Sequence, residues 1–265
     1  MIVSNNLSPL WLSLPEDHRD RLTQAVDRGL SQARDGRAVV FFRADDVAVP
    51  GKAFTAMAEA FRKADAPLNM AVVPSWLTVS RWEALRRATD GGDLFCWCQH
   101  GWRHMNFEAP GVKKREFGQA RPARDKRLDL SKGFKRLGDI LGPDFTPVFS
   151  PPWNRCDGDS LAAMPAIGFR GISRTVGAGP EPPEGLADFP VCMDLHTRKE
   201  ASPEVSLTNM LEELTSGLAS GLCGVMLHHQ RMNEAAFSFL SGLLAELGGR
   251  PSVGLAHFGN LLGGW

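Results

Sequence analysis

His100 and His104, in the sequence QHGWRH, have the spacing at which two imidazoles bind one metal ion from a helical turn or a tight loop. No glutamate lies between them, so the motif is not the HExxH of zinc metalloproteases. Two adjacent carboxylates, Asp45 and Asp46, offer an oxygen ligand. Two histidines and one carboxylate suit Zn²⁺, and also Fe²⁺, Co²⁺ or Ni²⁺. Each motif alone is also compatible with structural histidines, or with a solvated or helix-capping pair of aspartates.

A second histidine pair, His228 and His229, ends the apolar run VML. A histidine at such a position can act as a general acid near neutral pH. Hydrogen bonding to nearby backbone also explains a histidine there, and we expect one functional residue of the two rather than both. The five cysteines include the alternating pair Cys96 and Cys98, which we interpret as small hydrophobic residues in a core.

Short apolar runs alternate with amphipathic segments along the chain. The predicted strands are 38–42, 68–73, 93–98, 145–149, 169–172, 189–195, 222–227 and 252–255. The predicted helices are 13–33, 51–64, 79–89, 126–141, 161–167, 204–219 and 234–247. This alternation predicts an α/β fold with a parallel sheet covered by helices, either a barrel or a doubly wound sheet. No glycine-rich phosphate loop follows the first strand, which disfavours a nucleotide-binding fold.

The unusual polar residues follow the predicted strands. In parallel α/β proteins the carboxyl ends of the strands lie on one face, where active sites form, so residues far apart in sequence converge there. These residues are Asp45, Asp46, His100, His104, the segment 150–154, Asp194, His196, His228 and His229. His18 and His257 have no comparable partner, and we interpret them as incidental.

Composition excludes several classes of protein. The chain has 265 residues, with 30 basic and 30 acidic side chains, so no global positive field favours nucleic acid. No apolar stretch reaches the length of a membrane span and the N-terminus lacks a secretory signal, so we expect a cytoplasmic protein. We predict one domain over 1–265 with an N-terminal helical extension at 1–36. Residues 106–124 have no clear periodicity, and the stretch 111–118 either shapes a substrate site or is a solvated charged loop.

Four motifs, in this order and spacing, resemble those of the polysaccharide deacetylases of the NodB-homology type. The motifs are FRADD, QHGWRH, FSPPWN and VMLHH, and together they span about residues 38–229. The chain is most similar to a divergent, leaderless bacterial branch of that family. The resemblance implies a distorted (β/α) barrel with about seven parallel strands. It also implies a metal-dependent hydrolase that removes N-acetyl groups from a sugar or saccharide, with Zn²⁺ as the expected metal.

The resemblance also implies roles for single residues. The first aspartate of the pair, Asp45, corresponds to the catalytic base, and Asp46 to a metal ligand. His100 and His104 complete the metal site. The late Leu-x-His motif of the family falls on Met226-Leu227-His228, which makes His228 the general acid.

Two departures from the family pattern stand out. Ser150 occupies the position of an arginine that pairs with the catalytic aspartate, and Arg43 or Arg155 is our candidate to supply that charge. The family's aspartate that orients the acid histidine has no clear counterpart. Asp194 is our candidate for this role, and His196 is a competing pocket residue.

The remaining predictions concern the substrate. The substrate-binding candidates are Trp153, Asn154, Trp102, Arg43, Arg155, His196 and His229, of which the two tryptophans offer faces for sugar stacking. Two alternatives remain open. One is a hydrolase of another non-peptide C–N bond, such as a cytosolic cyclic amide; the other is a non-catalytic sugar-binding protein. The sequence predicts no nucleic-acid partner and does not indicate the oligomeric state.

Overall fold

The computed structural model describes residues 7–264, in which strands and helices alternate as predicted. The α-helices are α1 (Pro9–Leu12), α2 (His18–Gln32), α3 (Lys52–Lys63), α4 (Val79–Ala88), α5 (Ala123–Leu141), α6 (Gly158–Ile167), α7 (Pro203–Ala219), α8 (Glu234–Gly248) and α9 (Phe258–Gly263). The strands are β1 (Ala38–Val47), β2 (Leu68–Val72), β3 (Phe95–His100), β4 (Phe145–Ser150), β5 (Gly171–Ile172), β6 (Ala187–Asp188), β7 (Val191–Asp194), β8 (Leu222–Leu227) and β9 (Val253–Leu255).

The described residues form two compact units. The first unit contains the residues up to Ala44, Gly51–Leu68 and Val191–His257, and the second contains Asp45–Pro50, Asn69–Pro190 and the residues from Phe258 onward. Strand β1 therefore contributes its first seven residues to one unit and its last three to the other. The prediction of one domain over 1–265 stays a prediction. Of the predicted helical extension at 1–36, residues 1–6 lie outside the described residues, and α1 and α2 occupy much of the remainder.

The sheet of the first unit has β8 between β1 and β7, with β9 paired to the start of β1. All of these pairs are parallel, and Arg43 of β1 lies opposite Met226 of β8. Strand β1 is almost entirely buried, as its run of valine and phenylalanine predicts for a parallel sheet covered on both faces.

The sheet of the second unit has the strand order β6-β5-β4-β3-β2. The last residues of β1 lie within the same unit, where the Val73 N–H donates to the Val47 carbonyl at 3.0 Å. Strands β3 and β4 are parallel, with His100 opposite Ser150. This register places the end of β3, in the motif QHGWRH, beside the end of β4, in the motif FSPPWN. The pairing of the two strands therefore brings these two motifs together, as predicted for the ends of parallel strands.

An apolar cluster in the second unit packs beneath the segment that follows β3. Phe117, Phe149 and Phe169 are each at most 3% exposed, and Trp102 packs against the cluster from its edge. Burying one such aromatic ring contributes about 1.5–3 kcal/mol, so the otherwise irregular segment from 101 to 122 is anchored to the core. The segment contains no helix and no strand, and of the stretch 106–124 without clear periodicity only the last two residues are helical, at the start of α5.

Several sequence-based assignments differ from the structure. Strand β1 continues five residues beyond the predicted end at 42, because Arg43 and Asp45 remain buried and extend the strand. The strand β6 and the helices α1 and α9 were missed, since two, four and six residues are too few to show a periodicity. Among the described residues, no helix is both long and apolar enough to cross a membrane.

Candidate metal centre

Asp46, His100 and His104 come together at the end of β3 and β1, within the second unit. The Asp46 Oδ1 lies 3.4 Å from His100 Nε2 and 3.1 Å from His104 Nε2. All three ligand atoms lie within 4.8 Å of one another. The three residues that the sequence predicted as metal ligands therefore point at a common volume.

The donor set fits a divalent transition metal. Ligand atoms about 2.0–2.2 Å from a tetrahedral zinc ion stand roughly 3.3–3.6 Å apart, close to the two distances from Asp46. Two imidazoles and one carboxylate leave a fourth position open, as in catalytic rather than structural zinc sites. Zn²⁺, Fe²⁺, Co²⁺ and Ni²⁺ all accept this set, so the structure does not choose among them.

The tautomer of His100 suits metal binding. Its Nδ1 lies 3.0 Å from the carbonyl of Ser150, an acceptor, so Nδ1 carries the proton. Nε2 is then a lone-pair donor that faces Asp46 and His104. Metal-bound histidines commonly hold their second nitrogen in this way, which fixes the ring and raises its basicity. The backbone of Ser150 thus supports the site, although its side chain cannot supply the arginine charge of the family.

Burial also favours the neutral, metal-binding form of His104. Desolvation lowers the pKa of His104, and the nearby His100 lowers it further, while the charges of Asp46 and Asp45 act in the opposite direction. A neutral imidazole is the form that binds metal, so His104 needs to release no proton near neutral pH.

Glu116 holds the loop between the two histidines, a role that the sequence analysis missed. Its carboxylate accepts three backbone N–H groups, from Trp102 at 3.1 Å, Arg103 at 2.7 Å and His104 at 3.1 Å. The side chain is fully buried, and burial raises the pKa of the Glu116 carboxyl while these hydrogen bonds oppose that rise. A β-carbon at Gly101 would overlap this carboxylate, so only glycine fits there.

The opposite side of the same loop is held by Gln99. Its Nε2 donates to the Gly101 carbonyl at 2.9 Å, and the side chain is buried against Gly133 of α5. The loop from 101 to 104 is therefore held by hydrogen bonds on two sides. Its Gly101 carbonyl accepts from Gln99, and three of its N–H groups donate to Glu116. This support orients His104 before any metal binds.

Backbone strain concentrates at the same place. Asp46, His104, Trp153 and Asn154 all have φ between 57° and 60°, the left-handed region that side chains other than glycine rarely adopt. Asp46 consequently leaves the extended conformation, so the simple alternation expected of adjacent strand residues does not hold there. Such strained residues cluster at functional sites, where the surrounding structure holds them in place.

Aromatic rings line the metal ligands. The ring centroids of His104 and Trp153 are 4.5 Å apart, and Trp76 approaches His104 at 5.9 Å. Trp102 and Asn154 are partly buried in the same unit, and Arg155 follows Asn154. Their role as substrate-binding residues stays a prediction.

The histidines predicted to act in acid catalysis lie in the first unit. His228 is partly buried, and its backbone N–H donates to Nδ1 of His196 at 3.0 Å. Burial holds the pKa of His196 well below its usual value, so this ring is neutral and accepts that bond. His229 is buried against Phe54 at 5.8 Å. The better exposed His228 is the stronger candidate for proton transfer to a substrate.

Asp194 has contacts other than those expected of it. Its Oδ1 accepts the backbone N–H groups of His196 and Thr197, each at 3.0 Å, and its Oδ2 accepts the Thr197 hydroxyl. Within residues 7–264, no hydrogen bond joins Asp194 to His228. The expected orientation of His228 by Asp194 is therefore corrected. The Asp194 carboxylate accepts hydrogen bonds within its own turn, and the ring of His196 instead accepts the backbone N–H of His228.

The two candidates for the missing arginine charge differ in burial. Arg43 is fully buried in β1, with Nη2 3.2 Å from the sulfur of Met226, whereas Arg155 is half-buried at the surface of the second unit. The hydroxyl of Ser150 is buried and makes no hydrogen bond with the described residues.

Comparison with known proteins agrees with this arrangement. The sequence matches no protein-family model and no curated protein. Solved structures match most of the chain. A polysaccharide deacetylase from Mycobacterium smegmatis aligns with a TM-score of 0.65 at 15% identity, covering 86% of this chain and 89% of that one. The chain has the fold of the polysaccharide deacetylases. The predicted distorted (β/α) barrel with parallel strands is thereby confirmed.

Two further structures with the polysaccharide deacetylase fold show its functional range. A family 4 carbohydrate esterase from Streptomyces lividans, in complex with acetate, aligns with a TM-score of 0.51 at 12% identity, covering 83% and 91% of the two chains. A CE4 family pseudoenzyme from Bacillus anthracis aligns with a TM-score of 0.57 at 13% identity, covering 85% of this chain and 66% of that one. The fold thus hosts both esterases and pseudoenzymes, so function has to be argued from the site itself.

Proposed function

We propose that this protein is a metal-dependent amide hydrolase that removes the acetyl group from an N-acetylated sugar. The observation that carries the proposal is the convergence of Asp46, His100 and His104, with ligand spacing suited to a divalent metal, in a polysaccharide deacetylase fold. The same fold in an esterase that binds acetate supports acetate as a product. A cytoplasmic location and the absence of a nucleic-acid partner stay predictions.

In the proposed reaction, water adds to the acetamide carbonyl and the C–N bond breaks, giving acetate and a free amine. A divalent metal bound to Asp46, His100 and His104 would polarise the carbonyl and lower the pKa of water. Asp45, only 3% exposed, accepts the proton of the attacking water. The proton for the departing nitrogen requires a general acid, for which His228 stays our prediction, and a backbone N–H near Trp153 is our predicted donor to the developing oxyanion.

Arg43 is our candidate for the positive charge that Ser150 does not provide. It precedes Asp45 by two positions in the same strand, so both side chains leave β1 on the same face. This assignment leaves Arg155, at the surface, for another task.

A non-catalytic sugar-binding protein is the second candidate. The pseudoenzyme from Bacillus anthracis shares the fold, and Ser150 departs from the family pattern at a position beside the metal ligands. Trp153 and Trp102 would then serve as stacking surfaces.

Metal content and acetate release together test the proposal. We expect purified protein to bind one equivalent of divalent metal, to release acetate from at least one N-acetylated sugar, and to lose that activity on chelation. Readdition of Zn²⁺ or Co²⁺ should restore it. Failure to bind metal would contradict the proposal, while binding of metal and sugar without acetate release would favour the non-catalytic candidate.

The Asp45→Asn variant separates the base from the metal site. We expect kcat to fall by about 10²- to 10⁴-fold, the usual contribution of a general base, while metal content is retained. Acetate release and metal analysis of the same preparation measure both quantities. Asp35→Asn, in an exposed turn with similar φ, is the matched control and should have wild-type activity. Loss of metal from Asp45→Asn would instead make Asp45 a ligand.

A further inference from the structure

A group of cationic side chains lies beside the aromatic wall of the metal site, within the second unit. We define the basic rim as Lys114, Arg115 and Arg155. The Lys114 ammonium is 6.0 Å from the centroid of the Trp153 ring, and an Arg155 nitrogen donates to the Lys114 carbonyl at 3.5 Å. Two contacts, from His104 to Trp153 and from Trp153 to Lys114, thus connect a metal ligand to this rim.

Within the described part of the chain, the side chains of the basic rim have no carboxylate within ion-pair distance. Among the described residues, none of the three cations forms an ion pair, and the buried Nε of Arg115 makes no hydrogen bond. Glu108, which packs against Gly118 beside Arg115, also leaves its buried Oε1 without a hydrogen bond. Burial and the neighbouring Arg115 both lower the pKa of Arg155, a sign that the two cations repel each other.

The rim is held in place rather than carried on a free loop. Asn106 accepts the backbone N–H of Arg115 at 3.0 Å, and the Phe107 N–H donates to the Arg115 carbonyl at 3.1 Å. The residue that follows Arg115 is Glu116, whose carboxylate accepts the Arg103 N–H in the loop between His100 and His104. The backbone that carries the rim is therefore fixed, and the cationic side chains start from defined positions beside Trp153.

We propose that the basic rim binds an anionic group, a phosphate or a carboxylate, carried by the N-acetylated substrate next to the sugar that reaches the metal site. This inference rests on the proposed function and specifies its substrate class. Guanidinium groups bind phosphate and carboxylate through charge-assisted hydrogen bonds, and Trp153 offers a ring face between the rim and the metal ligands.

Direct binding to the metal-loaded protein tests the inference without relying on turnover. The probes are N-acetylglucosamine, its 1-phosphate and the corresponding uronic acid, measured by calorimetry at low and high salt. We expect the charged probes to bind at least about tenfold more tightly than the neutral sugar. A preference for the 1-phosphate over the uronic acid, or the reverse, identifies which anion the rim accepts.

The variants Arg155→Gln and Lys114→Gln locate the anion. We expect each to weaken binding of the charged probe by about 10- to 100-fold and to leave the neutral sugar unaffected. Arg87→Gln is the matched control, because α4 leads into the amino end of β3 whereas His100 lies at its carboxyl end. Equal affinity of all three probes, or charged binding unchanged in both rim variants because the anion binds the metal alone, would overturn the inference.

The same experiment separates this inference from the proposed function. Acetate release from neutral sugars without any preference for charged ones would support the hydrolase and overturn the role of the rim. Binding of a charged probe that depends on Arg155, without acetate release from any probe, would support the rim and contradict the hydrolase.

Discussion

Replacing His100 with alanine should abolish both metal binding and acetate release. His100 is 1% exposed, and its ring is fixed between the Ser150 carbonyl and the Asp46 carboxylate, so no other side chain can take its place. We expect metal affinity to fall by more than the roughly 10- to 100-fold that loss of an outer-shell partner costs. Competition with a chromophoric chelator measures this affinity independently of any substrate.

The control for this variant is His18→Ala. His18 lies in the first unit, where its Nδ1 contacts the Pro15 carbonyl, and the sequence analysis interpreted it as incidental. We expect its metal affinity to match that of the wild type. Full metal content and activity in His100→Ala would exclude Asp46, His100 and His104 as the metal site.

The Glu116→Gln variant should weaken metal binding although Glu116 is not a ligand. The amide that replaces one carboxylate oxygen is a donor, and it would face a backbone N–H that is also a donor. Each buried group left without its partner costs about 1–3 kcal/mol, so the loop carrying His104 should lose order. We expect metal affinity to fall by about 10- to 100-fold and the melting temperature of the metal-free protein to fall as well.

Glu108→Gln is the matched control, since Glu108 belongs to the same segment but its buried oxygen makes no hydrogen bond with the described residues. It should retain the metal affinity of the wild type. If Glu116→Gln lowered stability without changing metal affinity, Glu116 would support the fold of the segment and not the metal site.

The candidate metal ligands were predictable because their chemistry is visible in residue type and spacing. His100 and His104 lie four positions apart, and Asp46 follows a buried apolar run, so the strand ends of a parallel sheet were expected to bring them together. The structure places them within 4.8 Å of one another. The parallel α/β architecture followed from the alternation of short apolar runs and amphipathic segments.

The support of the site was not predictable, because it depends on tertiary contacts of ordinary residues. Glu116 lies in the charged run KKRE, where a buried glutamate and a solvated one look alike in sequence. Asp194 was expected to orient His228, but local hydrogen bonds to Thr197 take up its carboxylate. His196, considered only as a pocket residue, is the one whose ring contacts His228.

The left-handed backbone at the metal site has an evolutionary consequence. Asp46 and Trp153 both adopt positive φ, and residues held in such conformations cost of the order of 1–3 kcal/mol each. A lineage released from selection for hydrolysis would gain folding stability by accepting glycine at position 46, which also removes one of two adjacent negative charges. If the proposed hydrolase activity is correct, its loss would therefore be accompanied by a gain in folding free energy at position 46.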